Sequence, residues 1–547
     1  MKYLYLFLLA LIQTPLFAQV VFKNYDISPG ADSSTPGAYT NCNGKMYFIA
    51  KTQAYGYELW AIDSSGNTQM LTNNITKQYD APQILGELNG KLVFTAFDTT
   101  HGNELWISDG TPANTKLLKD IYPGKESGID NGTYGCLLNG KIYFSAATAA
   151  NGNELWATDG TDTGTHLIAD IHPGAGNANP VDYNTINGKI FFWANDGTHY
   201  HEPWVSDGTQ AGTMLLKDIN PTGGGFYYNA SIVSNGLLYF WAQSSHSSSD
   251  VEVWVTDGTT AGTIVLENRA SHGGAYISKF VAYKNKVYYW NHSDTGLAAQ
   301  LWVTDGTNAG THVFSNAAPN TYMHCSRDFL VFKDKLYFTG GLYRTDTMSW
   351  CELWVTDGTD AGTKLVADLG GKYSSTPSCL TSLGDYIYFI AQDSDYVKLY
   401  QTDGTTAGTR AIAPYNATNQ NALDWDYVAP LHLYNNKLWM RAAFTNTGME
   451  LWSIEDMFPQ GINTTTNNST ALITLYPNPA HHNFTLNAST AFKAGSITLT
   501  DVTGRVVMTG KLYNNEQTIS LQGIAPGIYM ADVWLDDKRS TQKLVIE

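Results

Sequence analysis

The stretch that decides the fold is Glu352-Leu353-Trp354-Val355-Thr356-Asp357-Gly358-Thr359, followed by Ala361-Gly362-Thr363. An aromatic anchor with similar neighbours recurs nine times, at intervals of 46 to 52 residues. Fixed intervals of this length are typical of propeller blades. The anchors are Trp60, Trp106, Trp156, Trp204, Trp254, Trp302, Trp354, Tyr400 and Trp452.

Each unit carries the signals of four short strands. An Asn-Gly turn such as Asn43-Gly44 precedes each anchor in the fullest copies, and this dipeptide favours a two-residue hairpin. Asp-Gly-Thr after the anchor indicates a second chain reversal. Because one four-stranded sheet cannot bury both faces, stacking around an axis is expected. We predict an all-β β-propeller of about nine four-stranded blades, with eight as the alternative if one degenerate copy is a loop.

The two ends of the repeat region complement each other. The ninth unit enters a linker after Trp452 without the closing Asp-Ile-x-Pro-Gly segment. That segment occurs instead at Tyr25-Asp26-Ile27-Ser28-Pro29-Gly30, near the start of the chain. A last blade built from both ends would close the ring and remove its exposed edges.

Compositional changes divide the chain. Residues 1–18 have a basic start, a short apolar run and a small residue at Ala18, which predicts a signal peptide. Residues 19–456 contain the repeats. Residues 457–474 are rich in Asn and Thr, which predicts a flexible linker. No other stretch is long and apolar enough to predict a membrane helix.

The C-terminal residues 475–547 carry ordered landmarks: first Tyr476-Pro477-Asn478-Pro479, then Asp501 to Val507 with Gly504, then Gly527 and Tyr529. This segment resembles the type A C-terminal sorting domain of the type IX (Por) secretion system. The resemblance implies a small β-sandwich that the secretion translocon recognises, and a secreted or outer-membrane-associated cell-surface protein. Its motif residues are Tyr476, Pro477, Asn478, Pro479, Gly504, Gly527 and Tyr529.

The repeat region, residues ~20–456, resembles bacterial surface proteins known by an ELWxxDGT, or hyalin-like, repeat. That family implies no established reaction. Some copies depart from the pattern: Pro203 replaces Leu, and Asp63-Ser64-Ser65-Gly66 replaces Asp-Gly-Thr.

The charge balance excludes some partners. The chain has 32 basic and 49 acidic residues, a net charge of −17. Binding to nucleic acid or to an anionic membrane needs a basic surface, so neither is expected.

Seven units carry Glu two residues before the anchor, on the same strand face. A Glu–Lys pair within each blade is favoured over a ring of metal ligands, because most hairpins carry a Lys such as Lys45. The Asp of each Asp-Gly-Thr is expected to cap its own turn. The seven glutamates are Glu58, Glu104, Glu154, Glu202, Glu252, Glu352 and Glu450.

Function is expected where the repeats break symmetry. His199 and His201 have a spacing that on a strand would put two imidazoles on one face, but no third metal ligand is evident. No metal and no cofactor are therefore predicted. The remaining candidate binding residues are His324 and Arg327, near Cys325 and Asp328, and the run Asp424, Trp425 and Asp426. Two weaker pairs are Arg269 with His272 and His292 with Asp294.

The five cysteines have no metal-binding spacing. Export permits disulfides, and Cys325, Cys351 and Cys379 lie in neighbouring units that offer at most one pair. Free buried thiols are favoured over a disulfide.

These features favour a monomeric secreted or cell-surface binding and adhesion module with an unknown glycan or protein ligand. The alternative is a glycan-active hydrolase or lyase with its site at the axial mouth of the propeller, which needs acid and base residues from different blades. The regular repeats offer no obvious set. A structural surface component is a third interpretation.

Overall fold

The computed structural model describes residues 20–30, 32–73, 81–225, 230–244, 251–266, 279–292, 299–314, 328–344, 347–371, 374–393, 396–414, 417–418, 422–423, 431–456, 473–476, 480–488, 491–501, 506–536 and 538–546. The chain divides into two compact units, Met1–Asp456 and Met457–Glu547. The predicted signal peptide, and the predicted linker up to residue 472, lie outside the described residues.

The first unit begins with strand β1 (Val20–Tyr25), and eight consecutive four-stranded sheets follow. Blade 1 has β2 (Gly37–Cys42), β3 (Lys45–Thr52), β4 (Gly56–Ile62) and β5 (Thr68–Met70). Blade 2 has β6 (Gln83–Leu88), β7 (Lys91–Asp98), β8 (Gly102–Ser108), a 3₁₀ turn (Pro112–Asn114) and β9 (Lys116–Lys119). Blade 3 has β10 (Cys136–Leu138), β11 (Lys141–Thr148), β12 (Gly152–Thr158) and β13 (His166–Ala169). Blade 4 has β14 (Val181–Ile186), β15 (Lys189–Ala194), β16 (Glu202–Ser206) and β17 (Met214–Leu215).

The next four blades repeat this order. Blade 5 has β18 (Ile232–Ser234), β19 (Leu237–Gln243), β20 (Val251–Thr256) and β21 (Ile264–Val265). Blade 6 has β22 (Val281–Tyr283), β23 (Lys286–His292), β24 (Ala299–Thr304) and β25 (His312–Val313). Blade 7 has β26 (Phe329–Phe332), β27 (Lys335–Arg344), β28 (Thr347–Thr356) and β29 (Lys364–Ala367). Blade 8 has β30 (Ser378–Leu383), β31 (Tyr386–Gln392), β32 (Val397–Thr402) and β33 (Arg410–Ile412).

The ninth blade is completed from both ends of the unit. It has β34 (His432–Tyr434), β35 (Lys437–Ala442) and β36 (Glu450–Asp456), and β1 pairs antiparallel with β36 as its outer strand. The register runs from Val20 opposite Asp456 to Tyr25 opposite Leu451. The predicted all-β propeller fold is therefore confirmed, and the described part of the chain forms nine blades. The closing strand ends at Tyr25, so Asp26 to Gly30 belong to the connection that follows it rather than to the strand.

The ring is continuous from blade to blade. First strands of successive blades contact one another, which places them around the axis. Blade 9 meets blade 1 directly, because Asn41 donates from its side chain to the Leu433 carbonyl at 2.8 Å and Tyr434 donates to the Gly44 carbonyl at 2.7 Å. The apolar core fills the gaps between blades: Trp156 of blade 3 packs with Ile121 and Leu85 of blade 2.

The turns confirm both sequence signals. Asn43 and Gly44 have φ values of 46° and 71°, as a primed hairpin turn requires. In the Asp-Gly-Thr turn of blade 4, Asp207 Oδ1 accepts from the N–H and hydroxyl of Thr209 at 2.9 and 2.7 Å. The Asp is therefore a turn cap, as predicted. A β-carbon on Gly212 would lie 2.1 Å from Asp207 Oδ1, which explains the second glycine of the motif.

The second unit contains two sheets. Its strands are β37 (Ile473–Tyr476), β38 (Asn483–Ala488), β39 (Gly495–Asp501), β40 (Val506–Leu512), β41 (Glu516–Ser520), β42 (Gly527–Leu535) and β43 (Lys538–Ile546). One sheet has the order β37-β38-β41 and the other β40-β39-β42-β43. Phe484 and Leu486 of the first sheet share one buried core with Leu499 and Val533 of the second. The unit is a small β-sandwich, as the sequence predicts.

Candidate functional site: the loop face of the propeller

The two faces of the ring differ in regularity. On one, the turn face, each blade has a two-residue connection between its first and second strands, and seven blades have a seven-residue connection between the third and fourth. On the other face, the loop face, the connection between the second and third strands varies in length, from two residues in blade 7 to seven in blade 4. The crossovers to the next blade also lie here, and they range from ten residues after Ala367 to nineteen after Ile412. The loop face is therefore the variable surface of the scaffold.

The crossovers are held by buried carboxylates. Glu104 of β8 is 0 % exposed, and its oxygens accept the N–H groups of Ile121, Tyr122 and Gly128 at 2.9, 3.0 and 2.8 Å. Equivalent bonds reach Glu154, Glu202, Glu352 and Glu450. The crossover thus replaces a water shell around the carboxylate with backbone donors.

The predicted Glu–Lys pairs are wrong at these five positions, because backbone N–H groups occupy the carboxylates. The hairpin lysines point elsewhere. Lys45 Nζ donates to the Gly110 carbonyl at 2.7 Å, and Lys189 Nζ to the Gly258 carbonyl at 3.5 Å, in each case in the next blade. The lysines therefore join neighbouring blades on the turn face.

Burial changes the protonation of these carboxylates. Desolvation raises the pKa of Glu104, Glu154, Glu202 and Glu352 to about 7, against the lowering effect of the hydrogen bonds they accept. A neighbouring aspartate, Asp120 in the case of Glu104, raises the pKa further.

His199 takes part in a turn. Both His199 and His201 lie in the connection between β15 and β16, so they are not on a strand as the spacing suggested. The Asp196 carboxylate lies 2.9 Å from His199 Nδ1 and accepts the His199 N–H at 2.7 Å, and this hydrogen bonding raises the pKa of His199. His101 and Asp98 repeat the arrangement in blade 2.

His201 has a separate environment. Burial lowers its pKa, while a hydrogen bond with the Asn179 backbone raises it. His199 is thus engaged within its own β15–β16 connection, whereas His201 is engaged with the crossover that precedes β14. Among the described residues, no group of three His, Cys, Asp or Glu side chains is placed to hold a metal ion.

Asp328, which follows the predicted pair His324 and Arg327, links three blades. Lys279 of blade 6 donates to Asp328 Oδ1 at 2.7 Å, and the N–H of Cys379 in blade 8 donates to Oδ2 at 2.5 Å. Asp328 is 8 % exposed, and its role is to connect neighbouring blades through these hydrogen bonds. The other candidates lie outside the described residues: His324, Arg327, Asp424, Trp425, Asp426, Arg269, His272 and Asp294, together with the His292 side chain.

Three aromatic side chains on the loop face were not singled out from the sequence. Tyr134 is 72 % exposed in the crossover to β10, and Tyr200 is 60 % exposed between β15 and β16. Tyr55, at the tip between β3 and β4, is 45 % exposed. These residues lie in the connections whose lengths vary between blades, and that was the available signal, because loops on a rigid scaffold often carry binding residues.

The cysteines follow the prediction in part. Cys42, Cys136 and Cys379 are free thiols, and burial raises the pKa of each. Cys351 is disulfide-bonded, and none of the other described cysteines is its partner.

In the second unit, two predicted motif residues have structural roles. The Tyr529 hydroxyl donates to the Ala525 carbonyl at 2.7 Å, beside Gly527, the first residue of β42. The Tyr476 hydroxyl donates to Glu516 Oε1 at 2.9 Å, across the outer side of the three-stranded sheet. Pro477, Asn478, Pro479 and Gly504 lie outside the described residues.

Residues 474–547 match the family model described as the secretion system C-terminal sorting domain. They are a sorting domain. This sorting domain directs the chain to type IX secretion and to the cell surface. No helix among the described residues is long and apolar enough to cross a membrane.

No curated protein matches the chain. Solved structures with similar folds include PorZ, a surface component of the type IX secretion system of Porphyromonas gingivalis, at 13% identity and a TM-score of 0.36, covering 93% of this chain and 75% of that one. Another is a puromycin hydrolase, at 12% identity and a TM-score of 0.34, covering 66% of this chain and 59% of the hydrolase.

A third is the β-propeller domain of the Trilobed protease from Pyrococcus furiosus, at 12% identity and a TM-score of 0.30, covering 61% of this chain and 99% of that domain. At these scores the likenesses carry no conclusion about activity. The propeller assignment rests on the sheet order of the chain itself.

Proposed function

We propose that the protein is a cell-surface binding and adhesion module whose loop face contacts the partner. The observation that carries the proposal is the contrast between a turn face of constant connections and a loop face of variable ones. Variable loops on a rigid scaffold are the usual carriers of recognition. The proposal also includes membership of the ELWxxDGT surface proteins and a monomeric state.

The charge of the two segments restricts the partner. Residues 19–456 contain 43 acidic and 25 basic residues, whereas residues 475–547 contain six of each. The propeller therefore carries the whole excess of negative charge. An anionic partner would be repelled over a distance of about 10 Å at 0.1 M salt, so the partner is neutral or basic.

The exposed tyrosines of the loop face offer a direct test. We expect Tyr134→Ala and Tyr200→Ala to weaken binding to immobilised extracellular surface proteins at least tenfold, because exposed aromatic residues dominate binding energy. Met214→Ala is the matched control, since Met214 is 50 % exposed on an outer strand away from the loops. Equal loss in all three variants, or no loss in the tyrosine variants, would contradict a loop-face site.

Export is tested separately. Removal of residues 475–547 should leave the protein in the periplasm, while the full chain is displayed on the cell surface. Protease shaving of intact cells followed by immunodetection distinguishes the two locations. Normal display of the truncated chain would show that another segment directs export.

A further inference from the structure

A crevice lies between blades 1 and 2. It has a volume of about 320 Å³ and lies between the end of strand β5 and the sheet of blade 2. Small-molecule sites usually have volumes of about 300–1,000 Å³. Its walls include Met70 and Leu71 from blade 1, and Phe97, Trp106 and Pro112 from blade 2.

Blade 1 departs from the repeat beside this crevice. Its third and fourth strands are joined by the five residues Asp63–Asn67 instead of the seven found in blades 2 to 8. The anchor indole of blade 2, Trp106, is half-buried, as is Trp60 in blade 1. The anchor indoles of six other blades are 3 to 9 % exposed, namely Trp156, Trp204, Trp254, Trp302, Trp354 and Trp452.

The walls combine apolar side chains with two threonine hydroxyl groups that are already hydrogen-bonded. Thr72 lines the crevice, but its hydroxyl donates to the buried Glu58 carboxylate and accepts the Leu59 N–H. The Thr115 hydroxyl is likewise occupied, by the Thr111 carbonyl and the Ser108 hydroxyl. The exposed amide of Asn73 remains at the mouth.

One face of the Trp106 indole packs against an aromatic side chain of the same blade. Phe94 packs against it with ring centroids 6.5 Å apart. An indole supported in this way presents an apolar platform to the crevice, and an adjacent amide can bond to hydroxyl groups at the edge of a ligand. No charged residue is among the described residues of the lining.

We propose that this crevice binds one ring of a neutral saccharide, with the apolar face of the sugar on Trp106 and its hydroxyl groups directed to Asn73 and to solvent. A neutral ligand fits because the lining supplies no cation, and the excess negative charge of the propeller disfavours an anionic sugar. The crevice does not include the loop-face tyrosines, so this site and the proposed function can fail independently.

The test uses the full chain and defined probes. Neutral methyl glycosides and short neutral oligosaccharides are compared with glucuronic acid and with indole, by saturation-transfer NMR and by quenching of tryptophan fluorescence. We expect the neutral sugars to bind and glucuronic acid to bind at least tenfold more weakly. Preferential binding of indole, or no saturation transfer to any neutral sugar at millimolar concentration, would overturn the proposal.

Variants locate the site. Asn73→Ala should weaken sugar binding several-fold, and Pro112→Trp should abolish it by filling the crevice without removing a core residue. Ala113→Gln, in the same turn but outside the lining, is the matched control and should bind normally. Tyr134→Ala and Tyr200→Ala should also bind these sugars normally. Unchanged binding by Pro112→Trp would place the sugar elsewhere and refute the site.

Discussion

Gly128 donates its N–H to Glu104 Oε1 at 2.8 Å, and a β-carbon on Gly128 would lie 2.5 Å from the same oxygen. The crossover backbone at Gly128 therefore lies too close to the Glu104 carboxylate to leave room for a β-carbon. Glu104→Ala should lower the free energy of unfolding by about 3 kcal/mol, because two buried N–H groups and one part-buried N–H group lose their acceptor at about 1–3 kcal/mol each. Chemical denaturation measures the loss.

Glu126→Ala is the control for this variant, since Glu126 is exposed in the same crossover. It should change stability by less than about 0.5 kcal/mol. Comparable losses in the two variants would mean that the carboxylate does not hold the crossover.

The buried glutamates also predict a pH dependence. Desolvation raises the pKa of Glu104, Glu154, Glu202 and Glu352 to about 7, so the folded state binds protons that the unfolded state has released. Their contribution to stability is full below the unfolded pKa, near 4.3, and is lost as pH rises towards 7. The raised pKa values of His101 and His199 act in the same direction near neutrality.

We therefore expect the free energy of unfolding to fall between pH 5 and pH 7.5. Denaturation midpoints across this range provide the measurement, and Glu154→Gln should make the dependence shallower. A stability that stays constant or rises over the same interval would show that the folded state does not hold these carboxylates protonated.

The turn motif predicts a reciprocal pair of substitutions. Gly212→Ala should destabilise the protein by about 1–3 kcal/mol, because the new methyl group would lie 2.1 Å from Asp207 Oδ1. In Asp207→Ala, the same change at Gly212 should be nearly neutral, since the obstructing carboxylate is gone. A double-mutant cycle measures this coupling. Additive effects would contradict the steric explanation.

The seam of the ring can be locked. Val21 lies opposite Glu455 in the antiparallel pair of β1 and β36, and opposite residues of such pairs have Cα separations of about 4.5–5.5 Å, within disulfide range. The double variant Val21→Cys/Glu455→Cys should form a cross-link under oxidising conditions and raise the unfolding temperature. The same protein under reducing conditions, and Val21→Cys alone, are controls. Absence of the cross-link would mean that the ring does not close in this register.

The tryptophan spacing was sufficient to predict the propeller, because one large aromatic residue per blade fills each gap between sheets. Asn43-Gly44 was equally informative, since its left-handed geometry fixes a two-residue turn. The hydrogen-bond donors to Glu104 could not be predicted from the sequence, because a backbone N–H group is not marked by any particular residue type. The sequence did contain a signal that the glutamate and the crossover belong together. Units with Glu154 and Glu202 also have an Asp-Ile-x-Pro segment in the crossover. Unit eight has Lys398 in place of the glutamate and also lacks that segment.

His199 illustrates a second limit. Its partner Asp196 lies three residues earlier, and the same Asp-x-x-His spacing occurs at His101. Comparison of the two units would have indicated a turn cap rather than a metal ligand. The exposure of Tyr134 depends on how its crossover packs, which the sequence alone does not determine.

Placement of β36 between β35 and β1 has a mechanical consequence. The strand through which the polypeptide leaves the ring is an interior strand, hydrogen-bonded along both edges. When force is applied at Asp456, for instance by flow acting on a particle bound to a tethered protein, it must break two ladders together rather than peel one strand from a rim. A propeller anchored through its C-terminal side therefore resists unfolding most strongly at the strand to which the force is applied.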